Sequence, residues 1–395
     1  MSTPTAPIKL DETYGEWERA GVSPFFPVIE ANTGTSVRTD KHEALLMFGS
    51  CDYLGLSQEP ALKAAAVEAV QRFGTNTYGA QLLCGHTRIH RDVEEVLGGL
   101  SALSSAVLFP SGMAANLAVI TALAGPDDVV INDRTDHVSI FMGSKLSGAE
   151  VRTFPHNNTA RLEQLLRKSA DKRRRVVVVD GLYSADGDYA PLDEIVRLAK
   201  AHDALVVVDE AHSFGVVGPT GLGVAEHFGV LDQVDVVVGT MSKALGSVGG
   251  FVLTTPLIEP LLRYLSPSYT SSRGSAPGVV GATLASLNHL ALHGPTLRAR
   301  LQANVTLVLG GLRAAGVDVL NTRSHIVPVL VGDEDKTIAV ANWLMERGVF
   351  TAAFVHPHVP ARTGRLRVGI TAAHTTRECE SLVALLVRAK HEFTF

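Results

Sequence analysis

Cysteine is scarce, with only Cys51, Cys84 and Cys379 in 395 residues. An odd number at these spacings builds neither a disulfide framework nor a zinc site, and it points to a reducing compartment. No uninterrupted apolar run approaches the roughly 18 to 20 residues that a membrane helix needs. The opening MSTPTAPIKLDETYGEWERAG has no apolar stretch of the kind that starts a secretory signal. The expectation is a cytoplasmic protein with no integral membrane segment. Long charge runs of one sign are missing too, and the net charge is only -5. The single basic cluster, Lys172-Arg173-Arg174-Arg175, directly precedes the apolar Val176 to Val179. It is expected as a solvated helix end, not a nucleic-acid surface. No repeat and no low-complexity linker interrupts the chain.

The composition is that of a folded globular protein, with 46% hydrophobic and 19% charged residues. The length implies two packed units, or one large domain with an appendage. Three valine-rich runs stand out: VVVVDG (176 to 181), ALVVVDEAH (204 to 212) and VDVVVGT (234 to 240). None alternates with polar residues, which is how strands buried on both faces of a parallel sheet read. Between the first two, PLDEIVRLAKAHDA puts Leu192, Ile195, Val196 and Ala199 on one helical face, completing a βαβ unit. Upstream, HRDVEEVLGGLSAL and MAANLAVITALAG read as helices, the second stopped by Gly125-Pro126. After about residue 290 the texture changes to helix, strand, helix, strand and closing helix. The expected division is an N-terminal segment (1–45), a large α/β domain (46–290) and a small C-terminal α+β domain (291–395).

In open α/β sheets the ligand lies at the carboxyl ends of the strands. The polar residues just past the three valine runs are Ser184, then Asp209 and His212, then Thr240, Ser242 and Lys243. A carboxylate ending a buried strand serves either as a structural ion partner or helix cap, or as the partner of a cationic ring nitrogen. A lysine past a buried strand, desolvated, offers an amine with a depressed pKa. Lysine, carboxylate and small hydroxyl residues together are the parts of a pyridoxal phosphate site.

The segments VVVDEAHSFGVVGPTGLG and GTMSKALGSVGG resemble the aspartate-histidine and lysine segments of the α-oxoamine synthases. Further segments match in the same order: MFGSCDYLGLS, LLCGHTRIHRDVEE, LFPSGMAANLAVI, DRTDHVSI, DGLYSADGDYAPL and GRLRVGITAAHT. The likeness runs from about residue 21 to the C-terminus. It implies an α/β protein of the pyridoxal-phosphate-dependent transferase fold type I, a large mostly parallel sheet domain plus a small C-terminal α+β domain. It implies an acyltransferase that condenses a small α-amino acid with an acyl thioester, carried by coenzyme A or an acyl carrier protein, releasing carbon dioxide and free thiol. The cofactor is pyridoxal 5'-phosphate, no metal is implied, and the expected partner is a second copy of the chain, in a homodimer with shared active sites.

By the same resemblance Lys243 anchors the cofactor and then removes the Cα proton of the amino acid. Asp209 holds the pyridine nitrogen, His212 the ring hydroxyl, and His137 stacks on the ring. Gly112 and Met113, at the start of a helix, offer backbone N–H groups to the phosphate. Thr240 and Ser242 add hydroxyls, and Ser184 lies close to the cofactor. Ser271 and Ser272, in the segment Tyr269 to Ser272, reach the phosphate in the other subunit, although Arg273 follows where a small or apolar residue is usual. Arg367 binds the substrate α-carboxylate. Departures from the family pattern fall mainly where the substrate is recognised, with Gln81 in the glycine-rich stretch. Cys51 replaces an asparagine, Gln81 a frequent arginine, and Val355 and His358 an arginine and a threonine. The alternatives are another fold type I activity, transamination or retro-aldol cleavage, and a non-catalytic partner subunit.

Overall fold

The structure, a computed structural model, describes residues 12–395. Its centre is a seven-stranded sheet of β1 (Ser105–Phe109), β2 (Val129–Asp133), β3 (Glu150–Phe154), β4 (Arg175–Asp180), β5 (Ala204–Asp209), β6 (Val236–Thr240) and β7 (Gly250–Thr254). The spatial order is β1-β7-β6-β5-β4-β2-β3. Only β7 runs against the others, pairing antiparallel with β1 and β6.

The valine runs lack polar alternation because both faces of this sheet are covered. Val177 and Val179 of β4 enter one apolar core, while Val176 and Val178 enter the other. Helix Leu192–Ala201 packs into the first, and helix Gly112–Leu123 into the second. Each fully buried valine contributes about 1.5 to 3 kcal/mol, so an exact register between strands is strongly favoured. That register sets Asp180 at the end of β4 directly beside Asp209 at the end of β5. Two carboxylates therefore sit together at the carboxyl edge.

The C-terminal part is a three-stranded antiparallel sheet of Ile326–Gly332, Gly364–Gly369 and Ala352–Phe354, covered by helices Glu334–Met345 and Thr376–Phe393. Strand Leu45–Met47 pairs with Val349–Phe350, so the N-terminal segment joins a four-stranded sheet with this part of the chain. The expected boundary at 290 falls inside one helix, Pro277–Ala314, which carries Pro295 in its interior. Proline removes a backbone donor and disfavours a helix interior. Here the packing on both sides carries the helix through it.

The basic cluster lies at the surface and pairs with groups of the same chain. Lys172 pairs with Glu150 at 2.8 Å, Arg173 makes a two-pronged pair with the buried Asp128, and Arg174 donates to the Leu123 carbonyl.

One ion cluster stabilises the loops at the carboxyl edge. His156 lies 3.3 Å from Asp133 and 3.0 Å from Asp188. Burial works against its charge, but hydrogen bonds and attraction from both carboxylates push its pKa up to about 10. A folded pKa above the unfolded value of about 6.5 means the stabilisation is full below that value and is lost as pH rises through about 10. His156→Ala, which leaves Asp133 buried, is expected to cost about 3 kcal/mol near neutrality. Urea unfolding should show this deficit shrinking steadily between those two pKa values; a deficit independent of pH would contradict the account.

Candidate active site

At the carboxyl edge, helix Gly112–Leu123 begins against β6. Ser111 caps it, its hydroxyl accepting from the Ala114 N–H at 3.1 Å. The N–H groups of Gly112 and Met113 precede the first intrahelical bonds and face a cleft that both residues line. A side chain at position 112 would bring a Cβ to 3.3 Å from Thr240 Cβ, so glycine is what lets the helix start approach this strand end. Thr240 and Ser242 stand on the same wall with their hydroxyls 2.7 Å apart. Two free amides, two hydroxyls and the positive end of a helix form a receptor for an anion.

In the same cleft, Asp209 accepts from Asn116 Nδ2 at 2.6 Å and from the Ala211 N–H at 2.9 Å. Asn116 also donates to Ser139 Oγ at 2.9 Å, and Ser139 Oγ lies 2.6 Å from His137 Nδ1. Burial lowers the pKa of His137, with Asp209 opposing and Lys243 adding to the shift, so its ring is neutral. The loop after β5 is fixed by Glu210, whose buried carboxylate accepts from Ser213 Oγ and the N–H groups of Val224 and Ala225. Gly223, at φ 111°, leaves the space this carboxylate fills; a Cβ there would come within 2.4 Å of it.

Lys243 closes the cleft, whose volume is about 220 Å³. Burial lowers its pKa, opposed by Asp209, Cys51 and Asp180 and reinforced by Arg367. Beyond it runs a hydrogen-bonded chain. Arg367 Nη2 donates to Cys51 Sγ at 3.1 Å and to Tyr53 Oη at 3.0 Å, and Tyr53 Oη lies 2.7 Å from His212 Nδ1. Burial holds the Tyr53 phenol well above its usual pKa and His212 well below, so a phenol faces a neutral imidazole. The phenol donates to Nδ1, which puts the ring proton on Nε2. At Cys51, burial raises the thiol pKa, but Arg367 and Lys243 more than offset it and the net shift is downward.

Of the residues expected from sequence, Gly112, Met113, His137, Asp209, His212, Thr240, Ser242 and Lys243 line this one cleft. Cys51 and Arg367 join it through Tyr53 and His212. Others stand apart. Ser184 is half-buried in the turn after Leu182, and Leu182 itself reaches the cleft. Ser271 is exposed and Ser272 half-buried, both outside the cleft, whereas Tyr269 is buried against Phe109 with its hydroxyl held by Arg263. His358 is exposed, 6.4 Å from the Phe354 ring over which Arg367 lies. Val355 is wholly buried against Trp17 and Ile338, so it packs an apolar cluster and presents nothing to a substrate. Gln81 is buried too, its amide donating to the Leu108 carbonyl at 2.9 Å.

Sequence reasoning missed Tyr53, Asn116, Ser139 and Asp180. Asp180 lines the cleft and accepts from the His137 N–H at 3.0 Å; burial and Asp209 raise its pKa well above the usual range. A signal existed, since VVVVD and VVVD end alike, and strands paired in parallel bring such ends together. Asn116 follows Gly112 by four positions, one helical turn, on the face that meets Asp209.

A family model described as aminotransferase class I and II matches residues 43–386. An 8-amino-7-oxononanoate synthase from Citrifermentans bemidjiense is 38% identical over 360 residues, 91% of this chain and 92% of that protein. The chain belongs to the α-oxoamine synthases of the aminotransferase class I and II family. Its fold is that of the fold type I pyridoxal-phosphate-dependent transferases. A solved serine palmitoyltransferase from Sphingomonas wittichii superposes with a TM-score of 0.93 at 32% identity, covering 97% of this chain and 98% of the other. A serine palmitoyltransferase structure with pyridoxal phosphate gives 0.93 at 33% identity, covering 97% of each.

The cleft fits that cofactor on its own geometry. The anion receptor at Gly112, the carboxylate of Asp209 and the amine of Lys243 all line this one cleft. Asn116 Oδ1 is buried without a partner beside Asp209, a polar group left for a ligand or water to satisfy. Among the described residues no cluster of side chains could hold a metal ion, and no helix is long and apolar enough to cross a membrane.

Proposed function

We propose that this protein is a pyridoxal-phosphate-dependent acyltransferase joining a small α-amino acid to an acyl thioester, with loss of carbon dioxide and free thiol, to give an α-amino ketone. The observation that carries the reading is Arg367. Its guanidinium is nine-tenths buried, has no carboxylate partner among the described residues, and leaves Nε unsatisfied, within reach of the field of Lys243. A buried guanidinium without a carboxylate partner is costly, and a substrate α-carboxylate would supply that partner.

In this reading Gly112, Met113, Thr240 and Ser242 hold the phosphate, Asp209 holds the ring nitrogen, and His137 covers the ring. His212, its proton on Nε2, donates to the ring hydroxyl. Bound there, pyridoxal phosphate supplies an electron-withdrawing ring that takes up the electron pair released at Cα. Lys243 anchors the cofactor and, with its lowered pKa, accepts the Cα proton near neutral pH. Arg367 holds the carboxylate, and Tyr53 fixes Arg367 relative to His212. The acyl donor, a coenzyme A or carrier-protein thioester, approaches Cα from the open side. Two copies of the chain form the working unit, Ser271 of one completing the phosphate site of the other. The test is thiol release from an acyl thioester in the presence of glycine, alanine or serine. Release only when both substrates are present supports the proposal, and release with none of the three amino acids sinks it.

Cys51 tunes this site. As a thiolate it competes with the substrate carboxylate for Arg367, so amino-acid affinity should fall as pH rises through the depressed thiol pKa. Cys51→Ser removes that competitor. Affinity should improve by about fivefold, on the order of 1 kcal/mol, and its fall at rising pH should vanish. Spectral titration of the bound cofactor measures both, and identical pH profiles in the two proteins would contradict the role.

A further inference from the structure

A cleft of about 940 Å³ lies behind the reaction centre, between the loops after β4 and β5, helix Pro277–Ala314 and the segment leading into strand Ile326–Gly332. Its size is within the range of small-molecule sites. Its apolar wall is built from Val216, Phe228, Leu301 and Val305, and two guanidiniums, Arg298 and Arg323, stand on its rim. Neither forms an ion pair among the described residues. Arg298 makes only a long 3.4 Å contact to the Pro219 carbonyl, and its near acidic neighbour, Glu226, is engaged by Thr220 and the N–H groups of Gly221 and Leu222. The carboxylate on the wall, Asp188, is taken by His156 and Asn157.

The third observation is His325. It lines the cleft, is only 2% exposed, and its Nε2 is buried without a partner. Its ring bonds the backbone of His212, and burial lowers its pKa to about 3, so it is a neutral imidazole. With that bond donated from the other nitrogen, Nε2 is an acceptor in need of a donor. His325 also meets the Tyr53 ring edge-on, with centroids 4.0 Å apart.

We propose that this cleft is a second ligand site for a hydroxylated amphipathic anion. The aliphatic body lies on the valine and leucine wall, a carboxylate or phosphate head meets Arg298 and Arg323, and a hydroxyl donates to His325 Nε2. Because His325 touches both Tyr53 and the His212 backbone, occupancy alters amino-acid binding at Arg367.

The test is calorimetric titration of the holoenzyme with 3-hydroxyoctanoate, octanoate and octyl phosphate. The double variant Arg298→Gln, Arg323→Gln lies outside the catalytic machinery and retains basal activity. The expected result is binding of 3-hydroxyoctanoate more tightly than octanoate, weakened about tenfold or more in the double variant, as loss of charge-assisted hydrogen bonds requires. Octyl phosphate binding more tightly than octanoate, and equally lost in the variant, supports the site with phosphate as its head group. Amino-acid affinity should change on addition of the tighter probe in the wild type and stay constant in the variant. Absence of binding, binding unchanged by the two substitutions, or binding without effect on the amino acid each overturns the proposal.

Discussion

Lys243→Ala should lower turnover by roughly 10⁴-fold, the upper range of a positioned proton-transfer group, while the protein still folds and binds pyridoxal phosphate noncovalently. Among the residues lining the cleft, Lys243 carries the one primary amine. The anion receptor at Gly112, Thr240 and Ser242 does not depend on it. Two measurements separate the roles: cofactor retention on gel filtration, and the loss of the visible band of the lysine-bound cofactor. A variant that kept this band and more than a tenth of wild-type turnover would refute the assignment. Adding a small primary amine to the variant should restore part of the proton transfer, because the side chain leaves a space the amine can enter.

The second large effect is expected at Arg367. Arg367→Met should raise the amino-acid KM by on the order of 10² to 10³-fold, the usual result of truncating one partner of a buried charge pair. Its kcat should change much less, since in the proposed reading the guanidinium binds the carboxylate but moves no proton. Arg367→Lys should fail as well, because a single ammonium cannot serve Cys51, Tyr53 and a carboxylate in one plane. A second readout excludes mere misfolding. Arg367 draws the Cys51 pKa down, so the methionine variant should alkylate more slowly at Cys51 than the wild type. An amino-acid KM within threefold of wild type would remove the observation on which the substrate reading rests.

The strands and the lysine loop were legible because buried parallel strands carry a distinctive pattern, unbroken valine ended by a polar residue. Asp209, Lys243 and Thr240 follow from that pattern as residues at the carboxyl edge. Tyr53 and Asn116 were not legible, since each acts through a contact across the fold: Tyr53 reaches His212 over 159 residues, and Asn116 reaches Asp209 over 93. Val355 misled for a related reason. Read against the family pattern it marks a lost substrate contact, but its burial with Trp17 makes it packing for the N-terminal helix Glu12–Arg19. The helix through Pro295 was hidden because local proline chemistry and tertiary packing oppose each other there, and packing prevails. Ser271 lies exposed, outside the cleft.

The central claim is condensation with loss of the amino-acid carboxyl group, and carboxyl-labelled amino acid tests it most directly. Incubation of the holoenzyme with labelled glycine, alanine or serine and an acyl thioester should release labelled carbon dioxide and free thiol in equal amounts. Thiol released without labelled carbon dioxide, or label lost without any acyl thioester, would contradict it.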